Sequence, residues 1–203
     1  MAKEAGGDNF VDVFAVHSTD VKQKLGYTSW DDFFTRKFKP GIRPVASPDD
    51  DDVIANACES APFRMAHDVP LKAKFWIKGQ PYSLIDLLHN DPWTSKFEGG
   101  TLYQAFLTST ATRAVIFIQA DNPKIGLMCF VAVGMGDVSN NEITVRIGQH
   151  VNKGDQLGMF HFGGSTHVLL FRPEVKLDFD MHGQTPGLDT TNIKVREAIV
   201  RVE

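Results

Sequence analysis

The residue types most able to do chemistry in this 203-residue chain lie in one short stretch, His161 to His167. Gly163 and Gly164 precede Ser165, and a glycine doublet lets the backbone turn sharply because neither residue carries a Cβ. Such a turn can present the Ser165 hydroxyl to the carbonyl carbon of Gly164, so that the serine attacks its own preceding peptide bond. Either flanking histidine could supply the base. The stretch is therefore a candidate self-cleavage site, although the same pattern is also typical of a plain hairpin loop.

Apolar runs on both sides of this turn indicate the strands that would hold it. Residues 168–171 follow the turn directly, and residues 99–107 predict a further strand that starts at a glycine turn. Residues 113–119 and 125–134 are two apolar runs joined by Ala-Asp-Asn-Pro-Lys, which predicts a hairpin. Residues 53–61 predict a buried strand that breaks at the following proline. The turn is thus expected at the end of a largely β scaffold.

Two short helices are predicted from their capping residues. Thr28 or Ser29 can cap a helix over residues 30–36, because a side-chain oxygen there accepts a hydrogen bond from the first turn. Ser83 stands in the same relation to a second helix, whose apolar face is formed by Leu84, Leu87 and Leu88.

The fold class that follows is α+β: a mainly antiparallel β barrel or sandwich with lipoyl-like hairpins and a few short helices. The lipoyl likeness rests on residues 151–155, whose Val-Asn-Lys-Gly-Asp sequence forms a turn in such barrels. We expect an N-terminal segment, residues 1–26, and then a single domain over residues 27–203. In the first, residues 10–16 fit either a strand or one helical turn. Residues 193–200 predict a short amphipathic element that covers a barrel edge or another subunit.

Composition and charge exclude several classes of function. A chain with 42% hydrophobic and 23% charged residues can bury a core and is not disordered throughout. A net charge of −4 gives no electrostatic reason to bind nucleic acid or an anionic membrane. Cys58 and Cys129 are too few for a disulfide scaffold, and no signal core or membrane-spanning run is found, so we expect a soluble, cytoplasmic protein. The histidines show no metal-ligand spacing, and no metal is expected.

The segment from Val151 to Thr166, which contains Gly-Met-Phe-His-Phe-Gly-Gly-Ser-Thr, resembles the processing region of the phosphatidylserine decarboxylase family. Residues 27–44 resemble the entry segment of the same enzymes, and residues 75–88 follow the family's Lys-Gly-x-x-Tyr-Ser-Leu pattern. The combination is most similar to the soluble fungal branch, which includes an L-tryptophan decarboxylase. Between Leu107 and Arg113, however, the chain passes straight over the family's Tyr-His-Arg-x-His-x-Pro block, whose two histidines are absent.

The resemblance implies a role for each residue of the processing region. The chain would cut itself between Gly164 and Ser165, and Ser165 would become a covalent pyruvoyl group, an electron sink for decarboxylation that needs no added cofactor. Glu59 is the positional match to a family aspartate that orients a histidine during cleavage, and a strand-end glutamate facing water is the alternative. With the family histidines absent, His167 and His161 are the candidate bases, although each is also explained as a wall of the pocket.

The resemblance also implies the partners of the protein. The substrate would be a small aromatic amino acid such as tryptophan, or a phosphatidylserine head group. Aromatic side chains that could line its pocket are Phe63, Phe75, Trp76 and Tyr82, which are equally explained as core. The C-terminal fragment produced by cleavage would be a second partner. Whether the protein forms a homo-oligomer is left open at this point.

Three hypotheses from different classes remain open at this point. The first is a self-processing pyruvoyl decarboxylase. The second is an uncut, shortened or engineered relative that acts as a non-catalytic binding scaffold. The third is a carrier-type β module with a modified lysine, although Lys153 fits a turn lysine better.

Overall fold

The structure is a computed structural model that describes residues 10–17, 26–72, 75–77, 80–106, 113–134, 140–161 and 166–203. Within these residues the chain is mainly antiparallel β with short helices, which confirms the predicted fold class. The helices are α1 (Phe10–Val13), α2 (Trp30–Phe34), α3 (Leu84–Leu87) and a 3₁₀ helix (Thr94–Phe97). The strands are β1 (Val53–Ala55), β2 (Ala61–Val69), β3 (Phe75–Ile77), β4 (Gln80–Tyr82), β5 (Gly100–Phe106), β6 (Arg113–Gln119), β7 (Leu127–Val133), β8 (Asn140–Ile143), β9 (Gly158–His161), β10 (Thr166–Phe171), β11 (Leu177–Phe179) and β12 (Ala198–Val202).

A five-stranded antiparallel sheet in the order β2-β5-β10-β7-β6 organises the molecule. Its central strand, β10, is buried along its whole length, which explains the unbroken apolar run after Thr166. The predicted hairpin is present as β6 and β7, with Arg113 opposite Val133. In the described residues β2 and β6 do not pair with each other, so the sheet is open and the barrel alternative is wrong.

The two faces of this sheet are covered by different elements. One face packs on α3 and the 3₁₀ helix through Leu84, Leu87 and Phe97. The other packs on a three-stranded sheet in the order β1-β12-β11, with Ile199 and Val200 among the contacts. The five-stranded and three-stranded sheets therefore form a sandwich, with α3 and the 3₁₀ helix on the outer face of the larger sheet. The β3–β4 and β8–β9 pairs form two further two-stranded sheets. Consecutive residues of β10 face opposite layers.

The helix predictions hold at their first turns. Ser29 Oγ accepts a hydrogen bond from Asp32 N at 3.0 Å and begins α2. Ser83 and Asp86 form a reciprocal capping box at α3. For residues 10–16 the structure has one helical turn, α1, followed by Phe14 in a β-bridge with Phe38.

Two strand predictions, for the end of β1 and the start of β2, need correction. The strand predicted over 53–61 ends at Ala55, because the buried Asn56 side chain turns away to donate to the carbonyl of Ile193. Pro62 lies inside β2 instead of ending a strand, next to a register irregularity on an edge strand that tolerates a missing N–H. The amphipathic element predicted near the C-terminus is β12, which pairs with β1 and β11 and so lies inside a sheet.

Candidate functional site

The predicted cleavage bond lies between two strands whose ends are described. Strand β9 ends at His161 and β10 begins at Thr166, while Gly164 and Ser165 themselves lie outside the described residues. The surroundings of the bond are therefore built from these two strand ends.

His167, the second residue of β10, is completely buried in the central sheet. Its backbone partners on β5 and β7 are Ala105 and Ala132, and two alanines leave room for an imidazole between them. The ring lies 5.9 Å from the ring of Tyr103 and stacks on Phe130 at the same distance. Neither ring nitrogen has a hydrogen-bond partner among the described residues.

Burial decides the charge of this histidine. Removal from water penalises the imidazolium and lowers the pKa of His167 from 6.5 to about 4. The ring is therefore neutral near pH 7, and one of its nitrogens carries an unshared electron pair. A neutral, unpartnered imidazole can accept a proton, which is what a general base requires.

Strands β5 and β10 carry other buried polar atoms that have no hydrogen-bond partner among the described residues. The Tyr103 hydroxyl shares the face of His167, while Gln104 Nε2 and Thr166 Oγ1 lie on the opposite face by strand alternation. Unsatisfied buried polar atoms are rare in proteins, and a group of them indicates a reactive or ligand-binding place. Thr166 and His167 thus place such atoms on both faces of the sheet at the first two residues of β10. Sequence reasoning missed Tyr103 and Gln104, whose signal was two polar side chains inside an apolar strand.

His161, at the end of β9, has the opposite environment. Its Nδ1 lies 2.9 Å from Asp31 Oδ1 of α2, and its Nε2 lies 2.7 Å from Glu142 Oε2 of β8. Hydrogen bonds to these two carboxylates raise the pKa of His161 above 6.5. The carboxylates bond opposite edges of the ring and do not converge, and the described residues contain no group of side chains that could hold a metal ion.

Among the described residues, Glu59 is engaged with a cation. Arg43 donates to Glu59 through Nε at 3.1 Å and Nη2 at 2.6 Å, a bidentate geometry. The backbone N–H of Val195 donates to Glu59 Oε2 at 3.2 Å. The Arg43 side chain is only 4% exposed, so the pair is largely removed from water. Its described contacts give Glu59 a place in the fold, and its predicted role in orienting a histidine stays a prediction.

The predicted substrate-binding residues lie on three strands. Phe75 and Tyr82 are register partners in the β3–β4 hairpin, and Trp76 is opposite Pro81. Phe63 is half-buried on β2, beside the register irregularity. The hairpin brings three of the four aromatic residues together along the backbone, and their contact with substrate stays a prediction.

Lys153 was weighed as a carrier lysine, and its contacts favour the turn interpretation. Its ammonium donates to the carbonyl of Ser47 at 2.7 Å and to that of Asp50 at 3.1 Å. A side chain held by two backbone carbonyls is not presented at a free hairpin tip. The lysine instead connects its turn to residues 47–50, which precede β1.

Comparison with known proteins places these features in a family. The phosphatidylserine decarboxylase family profile matches residues 30–111 and 107–201. The decarboxylase iboD of Amanita muscaria is 39% identical over 76% of this chain and 61% of its own length. The L-tryptophan decarboxylase of Psilocybe cubensis is 31% identical over the whole chain and 58% of its own length. A phosphatidylserine decarboxylase proenzyme of Schizosaccharomyces pombe is 27% identical over 94% of the chain and 24% of its own length.

The chain spans little more than half the length of the fungal relatives that it matches. The alignment with the Psilocybe cubensis enzyme covers 261 positions but only the 203 residues of this chain, so about 58 positions have no counterpart. The two profile matches meet at residues 107–111, which is where the sequence lacks the histidine block. None of the helices in the described part of the chain has the length and hydropathy to cross a bilayer. A profile match that runs from residue 30 to residue 201 shows that the chain belongs to the phosphatidylserine decarboxylase family.

Proposed function

We infer that this chain is a self-processing, pyruvoyl-dependent decarboxylase that acts on an aromatic L-amino acid. Cleavage falls between Gly164 and Ser165. The observation that carries the inference is His167, a buried imidazole two residues beyond the serine that the family motif marks. Neither of its nitrogens has a hydrogen-bond partner among the described residues. A neutral base with no other described partner is what the first step of self-cleavage needs.

His167 takes the proton from the Ser165 hydroxyl as its oxygen attacks the Gly164 carbonyl carbon. The peptide bond then gives way to an ester, which leaves a free amine on residue 165. Loss of the Cα proton of residue 165 expels the Gly164 carboxylate and leaves a dehydroalanine, whose hydrolysis releases ammonia. The residue that remains is the pyruvoyl group, whose carbonyl supplies the electron sink for loss of CO₂.

The two fragments stay together after the cut. The smaller fragment contains β10, which pairs with β5 on one side and β7 on the other. It also contains β12, which pairs with β1 of the larger fragment. A strand that is buried and paired on both sides cannot leave without opening the core, so the fragments are expected to separate only under denaturing conditions.

An aromatic amino acid is favoured over a phospholipid head group as substrate. The relatives named L-tryptophan decarboxylase are 35% and 31% identical to this chain, against 27% for the phosphatidylserine decarboxylase proenzyme of Schizosaccharomyces pombe. Phe63, Phe75, Trp76 and Tyr82 are the candidates to contact an indole or phenyl ring.

Intact mass under denaturing conditions tests this function. The purified chain is expected to give fragments of 164 and 39 residues, the smaller one blocked at its N-terminus. The Ser165→Ala variant is expected to stay whole and to release no CO₂ from L-tryptophan, since it cannot form the electrophile. An uncut wild-type chain, or turnover that survives in Ser165→Ala, would overturn the decarboxylase.

One observation favours a second candidate, an uncut binding scaffold. The block missing between Leu107 and Arg113 holds both family histidines, and its loss removes groups that the resemblance assigns to cleavage. An intact 203-residue mass together with saturable binding of L-tryptophan would support the scaffold. The same spectrum therefore separates the two candidates.

A further inference from the structure

His161 joins three elements that are far apart in the sequence. It is the last residue of β9, and its two carboxylate partners belong to α2 and β8, which are 130 and 19 residues away in the chain. Glu142 is also close along the β8–β9 ladder, where its register partner is Met159. The imidazole is thus the point at which α2 contacts the strand that leads to Gly164.

The geometry requires a doubly protonated ring. A neutral imidazole has one N–H donor and one acceptor nitrogen, and an ionised carboxylate can only accept. Bonds of 2.9 Å and 2.7 Å to two carboxylates are both favourable only when each nitrogen carries a proton. A ring in this state has no lone pair and cannot take a proton from Ser165.

We propose that His161 is a positioning residue: with Asp31 and Glu142 it forms a clamp that holds the end of β9 against α2 and β8, and so fixes the chain that enters the cleavage site. The link to cleavage rests on the function proposed above, while the clamp itself does not depend on it. His161 and His167 then have separate tasks, anchoring upstream of the bond and proton transfer downstream of it.

The clamp is expected to fail at alkaline pH. The charged groups that face His161 are Asp31 from α2 and Glu142 from β8, while Asp32 of α2 is occupied by Thr28 and His17. Both facing groups are acidic side chains that favour a charged imidazole. His161 has a raised pKa, so its contribution is complete below pH 6.5 and disappears as the pH rises through the raised value.

The clamp can be measured in uncut protein. In the Ser165→Ala chain, an NMR titration of His161 is expected to give a pKa above 6.5, and Asp31→Asn and Glu142→Gln are each expected to lower it. Amide exchange of β9, corrected for intrinsic rates, is expected to rise about three- to tenfold when the clamp is lost, as for a partly exposed ion pair. Asp32→Asn is the matched control, an acid on the same helix that does not contact His161. Unchanged titration and exchange would overturn the clamp.

Cleavage then tests the positioning role in chains that keep Ser165. Loss of either carboxylate is expected to slow cleavage about three- to tenfold at pH 6. The effect should become smaller as the pH rises through the raised pKa of His161, where the wild-type clamp opens. His161→Lys keeps a positive charge through this range and is expected to retain cleavage at pH 9. If residue 161 were instead the catalytic base, the same substitution would abolish cleavage. Equal rates in all variants would overturn the positioning role. If the wild-type chain does not cut, the decarboxylase fails and the exchange data alone decide the clamp.

Discussion

Two histidines flank the predicted cleavage bond, and their environments are opposite. His161 lies at the protein surface between two carboxylates, which stabilise its charged form. His167 lies in the centre of the main sheet, where burial removes the charge and no described group bonds either nitrogen. The residue type is the same and the separation is six positions. Solvent access and the neighbouring charges therefore decide which histidine can anchor the chain and which can move a proton.

The contrast defines a pH window for self-processing. His167 must be neutral, which requires a pH above its pKa of about 4. His161 must be charged, which requires a pH below a pKa that lies above 6.5. Both conditions hold in mildly acidic to neutral solution, so the cleavage rate is expected to follow a bell-shaped curve. The acid limb belongs to the buried histidine and the alkaline limb to the clamped one.

The largest expected effect comes from removing the buried imidazole. His167→Leu nearly conserves side-chain volume but removes the base, and cleavage is expected to slow by about 10²- to 10⁴-fold. Stability should be unchanged or rise, because carbon replaces two buried nitrogens that have no hydrogen-bond partner in the described part of the chain. The measurements are a cleavage time course by mass spectrometry and a denaturant titration.

His150→Leu is the control, since His150 is an exposed histidine outside the site. It should leave the cleavage rate at the wild-type value. If His167→Leu cleaves at the wild-type rate, the base lies elsewhere and the difference between the two histidines has no role in processing.

The second effect tests whether Glu59 stabilises the fold through Arg43 or orients a histidine. Glu59→Gln removes the carboxylate that holds the nearly buried Arg43 guanidinium in a bidentate bond and is expected to lower the free energy of unfolding by about 3–5 kcal/mol. Adding Arg43→Met should recover most of that loss, because the buried charge is then gone. The measurement is urea unfolding of the single and double variants. If Glu59 instead orients a histidine, Glu59→Gln would shift the titration of His167 while leaving stability nearly unchanged.

The β scaffold could largely be predicted from local patterns. Apolar runs and turn residues predicted β5, the β6–β7 hairpin and β10, and the serine caps of α2 and α3 were correct. The end of β1 could not be predicted, because it depends on Asn56 bonding a carbonyl 137 residues away in the chain. That the five-stranded sheet is open could not be predicted either, because strand order depends on pairing between distant segments.

The candidate site could be predicted only as residue types at a turn. Both histidines were identified as possible bases, and nothing in the local sequence distinguished them. The carboxylates that charge His161 come from α2 and β8, and the burial of His167 comes from its position in the sheet. For Glu59, the match to a family position predicts a role in orienting a histidine, and that role stays a prediction. The ion pair with Arg43 could not be predicted, because Arg43 comes from an earlier loop.

A third effect is loss of stability in acid. The pKa of His167 is lower in the folded chain than in the unfolded chain, so its contribution to the free energy of unfolding is complete above pH 6.5. The contribution falls in acid, because the unfolded chain binds a proton there and the folded chain does not. Between pH 6.5 and about 4 this costs about 3 kcal/mol of unfolding free energy. Urea unfolding at several pH values should show the loss in wild type and a flatter profile in His167→Leu. Equal slopes in the two proteins would mean that the imidazole is hydrated or bonded in solution.

The smallest effect concerns His17, which resembles His161 but has a single carboxylate partner within the described ranges. His17 Nε2 lies 3.1 Å from Asp32 Oδ1, and its side chain is 63% exposed. Water and salt screen a single exposed pair of this kind, so His17→Ala should leave both stability and cleavage near the wild-type values. His161→Ala, measured in parallel, should slow cleavage at pH 6 because it releases two elements at once. If the two alanine variants behave alike, the second carboxylate adds nothing, and His161 is an ordinary surface ion pair.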